Sequence, residues 1–204
     1  MDLSSRFCAL WERIGAKGNP IPVFDDLIKR YREPHRRYHT EAHLAFGLSQ
    51  LDILADTTLH PHWIEFAFYF HDSVYVIGAT DNEEQSARLA IDTLKKAEVT
   101  GLAQIHVGAY IMVTKPGQVP STVGQQVMAD IDLAILGQER SVFVEYERQV
   151  REEYGSVPEE TFWRVRKGIL KEFLDRSSIY STGLFQKLYE ERARKNLTWT
   201  IASH

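Results

Sequence analysis

Helix start and stop signals recur along almost the whole chain and restrict its fold more than any other feature. Thr40 and Thr100 can each cap a helix, and Pro61 suits the first turn of another. Pro34 ends a predicted helix over residues 23–33, because its ring disfavours a helical predecessor. Sustained alternation of apolar and polar residues, the mark of strands, is scarce. The sequence therefore predicts an all-α bundle of about eight or nine helices.

The same signals place the remaining elements. Asp81 and Glu84 have the spacing of a capping box at the start of a helix. The segment 114–122, TKPGQVPST, contains two prolines and a glycine, so it is predicted to be a loop. Beyond that loop, helices are predicted before Gly137, before Gly155, after Pro158 and over about residues 182–197.

Charge and composition exclude several classes of protein. The formal net charge of −4 disfavours binding to duplex nucleic acid, which normally needs a basic face. No run of about 18 apolar residues occurs, so no membrane span is expected. The N-terminal stretch has charges at Arg6 and Glu12, unlike the apolar core of a signal peptide. With Cys8 as the single cysteine, these features predict a cytoplasmic protein without an internal disulfide.

A candidate site lies where the apolar run FAFYF, residues 66–70, ends in His71 and Asp72. Burying two such polar groups costs free energy unless they bind a partner. Adjacent helical residues point about 100° apart, so a common target requires the helix to end or loosen there. The stretch that follows, SVYVIG, residues 73–78, contains β-branched residues and ends in glycine, so the helix is expected to loosen there. Both side chains could then bind one metal ion. The alternative is a hydrogen-bonded pair with a structural role.

Upstream histidines add further candidate ligands. His35, His39 and His43 are spaced by four residues in HRRYHTEAHL. Because Thr40 is a predicted N-cap, His39 is expected just outside the helix, whereas His43 lies one turn inside it. His43 is therefore the preferred ligand, and His39 is kept as a second candidate.

These residues belong to a longer ordered set of motifs: YHTEAH, FHDSVY, DNEEQSA, ADIDLAILG, IYST and ARKNL. The set resembles a bacterial branch of the HD superfamily, all-α metal-dependent phosphohydrolases named for their His-Asp pair. The resemblance covers nearly the whole chain and implies a single HD-type domain over residues 1–204. In it, the C-terminal helices, about 139–200, would pack on a metal-site core of about 22–137.

The resemblance also implies four metal ligands, namely His43, His71, Asp72 and one aspartate of ADIDLAILG. Both Asp130 and Asp132 can be aligned with that aspartate, and both have apolar helical neighbours; Asp132 is preferred and Asp130 is kept. Two imidazoles and two carboxylates suit one divalent Mn, Co, Ni, Fe or Zn ion. Superfamily members that bind two metals have two further histidines before the last aspartate, and here only His106 lies in that interval.

Other polar residues are candidates for catalysis and substrate binding. Glu83 can orient the attacking water, or it can simply complement a helix N-terminus. Arg36 or Arg37 can bind a phosphate through a bidentate fork, and Lys115 can add a point charge. Arg37 is the preferred arginine, although arginines beside a turn are more often solvated.

The resulting prediction is a phosphohydrolase that cleaves a phosphoester of a small phosphorylated molecule, such as a nucleotide, with metal-activated water. Asp72, Glu83 and Arg37 are its predicted catalytic residues. One alternative is a noncatalytic regulatory domain that senses a metal or an anion, and a less favoured one is an HD-type iron oxygenase. Aromatic helical segments such as SVFVEYERQV are compatible with a homodimer.

Overall fold

The computed structural model describes residues 2–204, which form ten α-helices and no strand. In chain order the helices are α1 (Leu3–Arg13), α2 (Ile21–Tyr31), α3 (Glu41–Leu54), α4 (Pro61–Phe70), α5 (Asn82–Lys96), α6 (Gly101–Met112), α7 (Val123–Leu133), α8 (Arg140–Glu153), α9 (Glu159–Asp175) and α10 (Gly183–Ser203). Short 3-10 helices follow α3, at Ala55–Thr57, and α7, at Ala134–Gly137. The all-α prediction is confirmed.

Most of the predicted helix starts occur where the local chemistry places them. The hydroxyls of Thr40 and Thr100 accept backbone N–H groups of α3 and α6, and Pro61 is the first residue of α4. The capping box predicted at Asp81 and Glu84 is wrong. Asp81 makes no cap hydrogen bond with its side chain, and the Glu84 carboxylate binds Lys115 instead.

The additional helix relative to the predicted eight or nine is α1, which completes the aromatic core. Phe7 is fully buried and packs edge-on against Tyr69 of α4, with ring centroids 5.0 Å apart. Glu65, also on α4, is buried and accepts from Arg6 and Arg13 of α1, both at 2.7 Å. Helix α1 therefore holds α4 in place, in addition to the packing of α3 and α7 on α4.

The approach of α3 to α4 depends on Gly47. A Cβ at Gly47 would lie 2.0 Å from Cζ of Phe68, so only glycine permits the observed distance between the helices. The Phe68 ring is fully buried and stacks on His71, with centroids 4.4 Å apart. Since His43 lies one turn before Gly47 on α3, this contact also sets the distance between His43 and His71.

We expect Gly47→Ala to lower the free energy of unfolding by about 1–2 kcal/mol. Displacing the Phe68 ring costs about 1–3 kcal/mol, which exceeds the gain of up to about 1 kcal/mol in helix propensity. Gly168→Ala in α9 is the matched control, because a Cβ there meets nothing within 4 Å. Urea denaturation should show Gly168→Ala unchanged or slightly stabilised. Equal stability of the two variants would refute a tight contact at Gly47.

The C-terminal helices are tied to the end of α7. Asn196 of α10 donates to the carbonyls of Leu136 and Gln138 at 2.8 and 2.9 Å. The Tyr180 hydroxyl donates to the carbonyl of Leu133 at 3.1 Å. The division into a core of about 22–137 and C-terminal helices of about 139–200 stays a prediction. Within residues 2–204, no helix has both the length and the apolar character needed to cross a bilayer.

Candidate metal centre

His71 is held at the C-terminal end of α4 with one ring nitrogen directed into the site. Its Nδ1 lies 2.7 Å from the Phe68 carbonyl, which can only accept, so Nδ1 is protonated. In the neutral ring Nε2 therefore has the free lone pair. A backbone carbonyl that fixes the imidazole in this way is the usual support for a metal ligand.

His43 reaches the same point from the first turn of α3. Its Nε2 lies 3.1 Å from Nε2 of His71, and both rings are buried. Two lone pairs at this distance repel each other unless a proton or a metal ion lies between them. Among the described residues, Nδ1 of His43 has no hydrogen-bond partner.

Carboxylate oxygens complete the cluster. Oδ1 of Asp132 lies 3.4 Å from Nε2 of both His43 and His71. Oδ2 of Asp72 lies 3.6 Å from the first and 3.1 Å from the second. Ligands about 2.1 Å from one ion are about 3.0 Å apart along an octahedral edge and about 3.4 Å along a tetrahedral one. The spacing thus fits a coordination shell.

Three of these residues form a group in which all the ligand atoms lie within 4.8 Å of one another: His43, His71 and Asp132. This group could hold a metal ion. Asp72 contacts both histidines without belonging to the group. Both histidines are buried, while the side chains of Asp72 and Asp132 are 19% and 24% exposed, so the site opens to solvent on its carboxylate side.

The electrostatics of the cluster favour a bound cation. Burial opposes ionisation of Asp132, but hydrogen bonds from His43 and His71 lower its pKa to about 2. Burial likewise opposes the charge on Asp72, but His71 and His39 hold its pKa well below the ordinary value. Burial lowers the pKa of His43, which favours the neutral imidazole that a metal requires. Burial also opposes protonation of His71, but Asp72 and Asp132 raise its pKa well above the ordinary value, so a metal ion has to displace a proton from its Nε2.

Asp130 points elsewhere, although it lies only two residues from Asp132. It is fully buried, and its carboxylate accepts from the backbone N–H groups of Ser181 and Thr182, both at 2.7 Å, and from the Thr182 hydroxyl at 2.6 Å. Burial raises the pKa of Asp130. Asp130 therefore secures the start of α10, and the structure brings Asp132 rather than Asp130 to the histidines.

His39 lies beside the cluster, with its ring centroid 6.0 Å from that of His43. Its Nδ1 donates to Oε2 of Glu153 at 2.6 Å, which leaves Nε2 as the unengaged ring nitrogen. Burial opposes protonation of His39, but Asp72 and Glu153 raise its pKa above the ordinary value. The structure does not place His39 in the group of mutually close ligand atoms.

Glu153 was not predicted as a site residue. Its Oε1 accepts the backbone N–H groups of residues 37, 38 and 39 at 2.7–3.0 Å, and its Oε2 also accepts the Tyr75 hydroxyl at 2.9 Å. Burial opposes its charge, but the hydrogen bond from His39 and the backbone donors lower its pKa to about 2. Glu153 thus fixes the turn that leads into α3 and His43.

The two candidate arginines are bound to the protein itself. Arg36 is buried and donates through Nη1 to the Asp72 carbonyl at 2.7 Å, which holds the backbone of the His-Asp pair. Arg37 is half-exposed and donates through Nη1 to the carbonyls of Pro34 and Arg36. The structure does not direct either guanidinium to the metal cluster through a hydrogen bond.

Lys115 lines a pocket with Asp132, and Glu83 lies near enough to Asp72 and Lys115 for their charges to act on it. The Lys115 ammonium binds the Glu84 carboxylate and the Thr80 carbonyl, so its charge is already paired. Glu83 is half-buried; burial raises its pKa, and the nearby Asp72 acts in the same direction. A carboxylate with a raised pKa near a possible metal site is a candidate proton acceptor.

In comparisons with protein-family models, curated proteins and solved structures, no match was found. The assignment of class therefore rests on the chain itself. It is an all-α protein with a His/Asp cluster that could hold a metal ion, and this combination is consistent with an HD-type domain.

Proposed function

We propose that the protein is a metal-dependent phosphohydrolase that acts on a small phosphorylated molecule, such as a nucleotide. The main support is the convergence of two imidazole nitrogens and a carboxylate oxygen within 4.8 Å, with a second carboxylate beside them and one side open to solvent. The resemblance of the motifs to HD phosphohydrolases supports the same reaction class.

His43, His71 and Asp132 would bind one divalent ion, with Asp72 as the fourth ligand. The mixed nitrogen and oxygen donors suit Mn, Co, Ni, Fe or Zn. When bound, such an ion lowers the pKa of a coordinated water and polarises a phosphoryl oxygen. The Phe68 carbonyl fixes the His71 ring by accepting its Nδ1–H, and Arg36 fixes the backbone of Asp72 by donating to its carbonyl.

Glu83 and His39 are the proposed proton-transfer residues near the cluster. The raised pKa of Glu83 suits it to accept a proton from the attacking water. The Glu153 carboxylate orients the His39 ring, so its Nε2 can donate a proton to the leaving oxygen or add a ligand to the metal. Either role for His39 depends on the hydrogen bond from its Nδ1.

The test is phosphate release from a panel of phosphomonoesters, including nucleoside monophosphates, by protein reconstituted with each of the five metals. We expect turnover by the wild type and a loss of more than about 100-fold in Asp72→Ala. Asp92→Ala, an exposed aspartate on α5, is the matched control and should retain full activity.

The alternatives give different results in the same assay. A wild type that binds metal but cleaves no phosphoester would contradict the hydrolase proposal and favour a noncatalytic regulatory domain. Oxygen consumption that requires iron would instead favour an oxygenase.

A further inference from the structure

A small pocket adjoins the carboxylate side of the metal cluster. Asp132 forms part of its wall, and the loop 114–120 and the segment after α9 form the rest; its other polar lining residues are Thr114, Lys115, Gln118, Arg176 and Ser181. Its volume is about 60 Å³, far below the range of about 300–1,000 Å³ typical for whole ligands. At about 10–15 Å³ for each water, it has room for a compact group only.

Arg176 is the unpaired cation of this pocket. Within residues 2–204, the structure gives its guanidinium no hydrogen bond and no ion pair, and the group lies over the Phe173 ring at 4.5 Å from the centroid. Lys115, the other cation of the pocket, is paired with Glu84. The guanidinium of Arg176 therefore retains its full donor capacity for a ligand.

The segment that contains Arg176 is held rigidly. Nη2 of Arg194 donates to the Arg176 carbonyl at 2.8 Å. Glu190 accepts the backbone N–H groups of Ile179 and Tyr180 at 3.0 and 3.2 Å, and Asp130 accepts that of Ser181. Because the backbone of this wall is already fixed, binding has to order only the Arg176 side chain.

The pocket suits a compact anion by both charge and size. A divalent ion bound by two carboxylates and two neutral imidazoles forms a centre without net charge, so a phosphate dianion gains little attraction from that centre as a whole. The Arg176 guanidinium, which lines the same pocket as Asp132, supplies the missing positive charge and can form two parallel hydrogen bonds to phosphoryl oxygens.

We propose that Arg176 binds the phosphoryl group of the substrate in this pocket, with the rest of the substrate outside it. This inference rests on the proposed function and refines it, because it makes a terminal phosphate, as in a phosphomonoester, the group that is recognised. It also assigns phosphate binding to Arg176 in place of Arg36 and Arg37, whose guanidinium groups are bound to backbone carbonyls.

The test is calorimetric titration with inorganic phosphate of metal-reconstituted wild type, Arg176→Gln, Arg176→Lys and Arg164→Gln. Arg164 is an exposed arginine on α9, so its loss changes the net charge equally. We expect Arg176→Gln to weaken phosphate binding at least about 10-fold and Arg164→Gln to change it less than about twofold. Arg176→Lys should recover part of the affinity, since it restores charge without the bidentate fork.

Metal content, measured in the same samples, separates this inference from the proposed function. If the wild type contains metal, equal phosphate affinity in wild type and Arg176→Gln overturns the role of Arg176 and leaves the metal centre intact. If the wild type contains no metal, the proposed function fails. In that case, phosphate titration of the metal-free wild type and of metal-free Arg176→Gln tests the inference. Equal phosphate affinity of the two proteins, or no phosphate binding by the wild type, would overturn it.

Discussion

Asp132→Asn is expected to lower metal affinity by more than about 100-fold while leaving the fold intact. The change removes the charge of an oxygen that lies 3.4 Å from both histidine nitrogens. Loss of an outer-sphere partner typically costs about 10–100-fold, and loss of a direct ligand costs more. The side chain is partly exposed and makes no backbone contact that the helix needs, so far-UV circular dichroism should not change. Metal titration of the variant measures the effect.

Asp130→Asn is the matched control, since it makes the same chemical change two residues away. An amide has one acceptor oxygen where the carboxylate has two, so one of the donors at Ser181 or Thr182 loses its partner. The expected result is a free energy of unfolding lower by about 1–3 kcal/mol, with unchanged metal affinity. The opposite pattern, with metal lost only in Asp130→Asn, would make Asp130 the ligand.

Glu153→Gln is expected to lower stability by about 3 kcal/mol at neutral pH. In the folded protein the pKa of Glu153 falls from the ordinary 4.5 to about 2, and each pKa unit corresponds to about 1.4 kcal/mol. The glutamine keeps the shape but loses the charge that binds His39 and the backbone N–H groups of the turn. Urea denaturation at pH 7 measures the loss, and Glu152→Gln, an exposed neighbour, should cost less than about 1 kcal/mol.

The stabilisation by Glu153 also has a defined pH dependence. Because the pKa is depressed in the folded state, the contribution is complete above about pH 4.5 and is lost as the pH falls towards 2. The stability difference between wild type and Glu153→Gln should therefore shrink across this interval. A difference that stays constant from pH 7 to pH 2 would show that the carboxylate charge does not contribute.

Local chemistry explains which parts of the fold were predictable. Thr40, Thr100 and Pro61 determine helix starts through groups within a few residues of them, so the sequence is sufficient. Helix α1 was not predicted as a separate element, although its cap is local, since the Asp2 side chain accepts the backbone N–H of Ser5. The failed capping box has a nonlocal cause, since Lys115 binds Glu84 from 31 residues away.

The residues of the candidate site also differ in whether the sequence alone could identify them. The chemistry of His43, His71 and Asp72 was recognisable from residue type and order. The choice between Asp130 and Asp132 was not, because both have apolar neighbours on α7 and only the position of residues 181–182 distinguishes them. Glu153 was missed because its partners lie 78 to 116 residues away in sequence. Arg176 was not among the residues selected from the sequence, and only its lack of a partner beside the pocket distinguishes it.

The most direct test of the metal centre is elemental analysis of protein purified without chelator, with the wild type compared with His43→Ala and His60→Ala. His60 is exposed and does not belong to the cluster, so its variant controls for general loss of histidine. We predict close to one transition-metal ion per chain in the wild type and His60→Ala, and almost none in folded His43→Ala. A wild type that stays metal-free after incubation with Mn²⁺, Co²⁺, Ni²⁺, Fe²⁺ or Zn²⁺ would contradict the account and leave His71 and Asp72 as a buried structural pair.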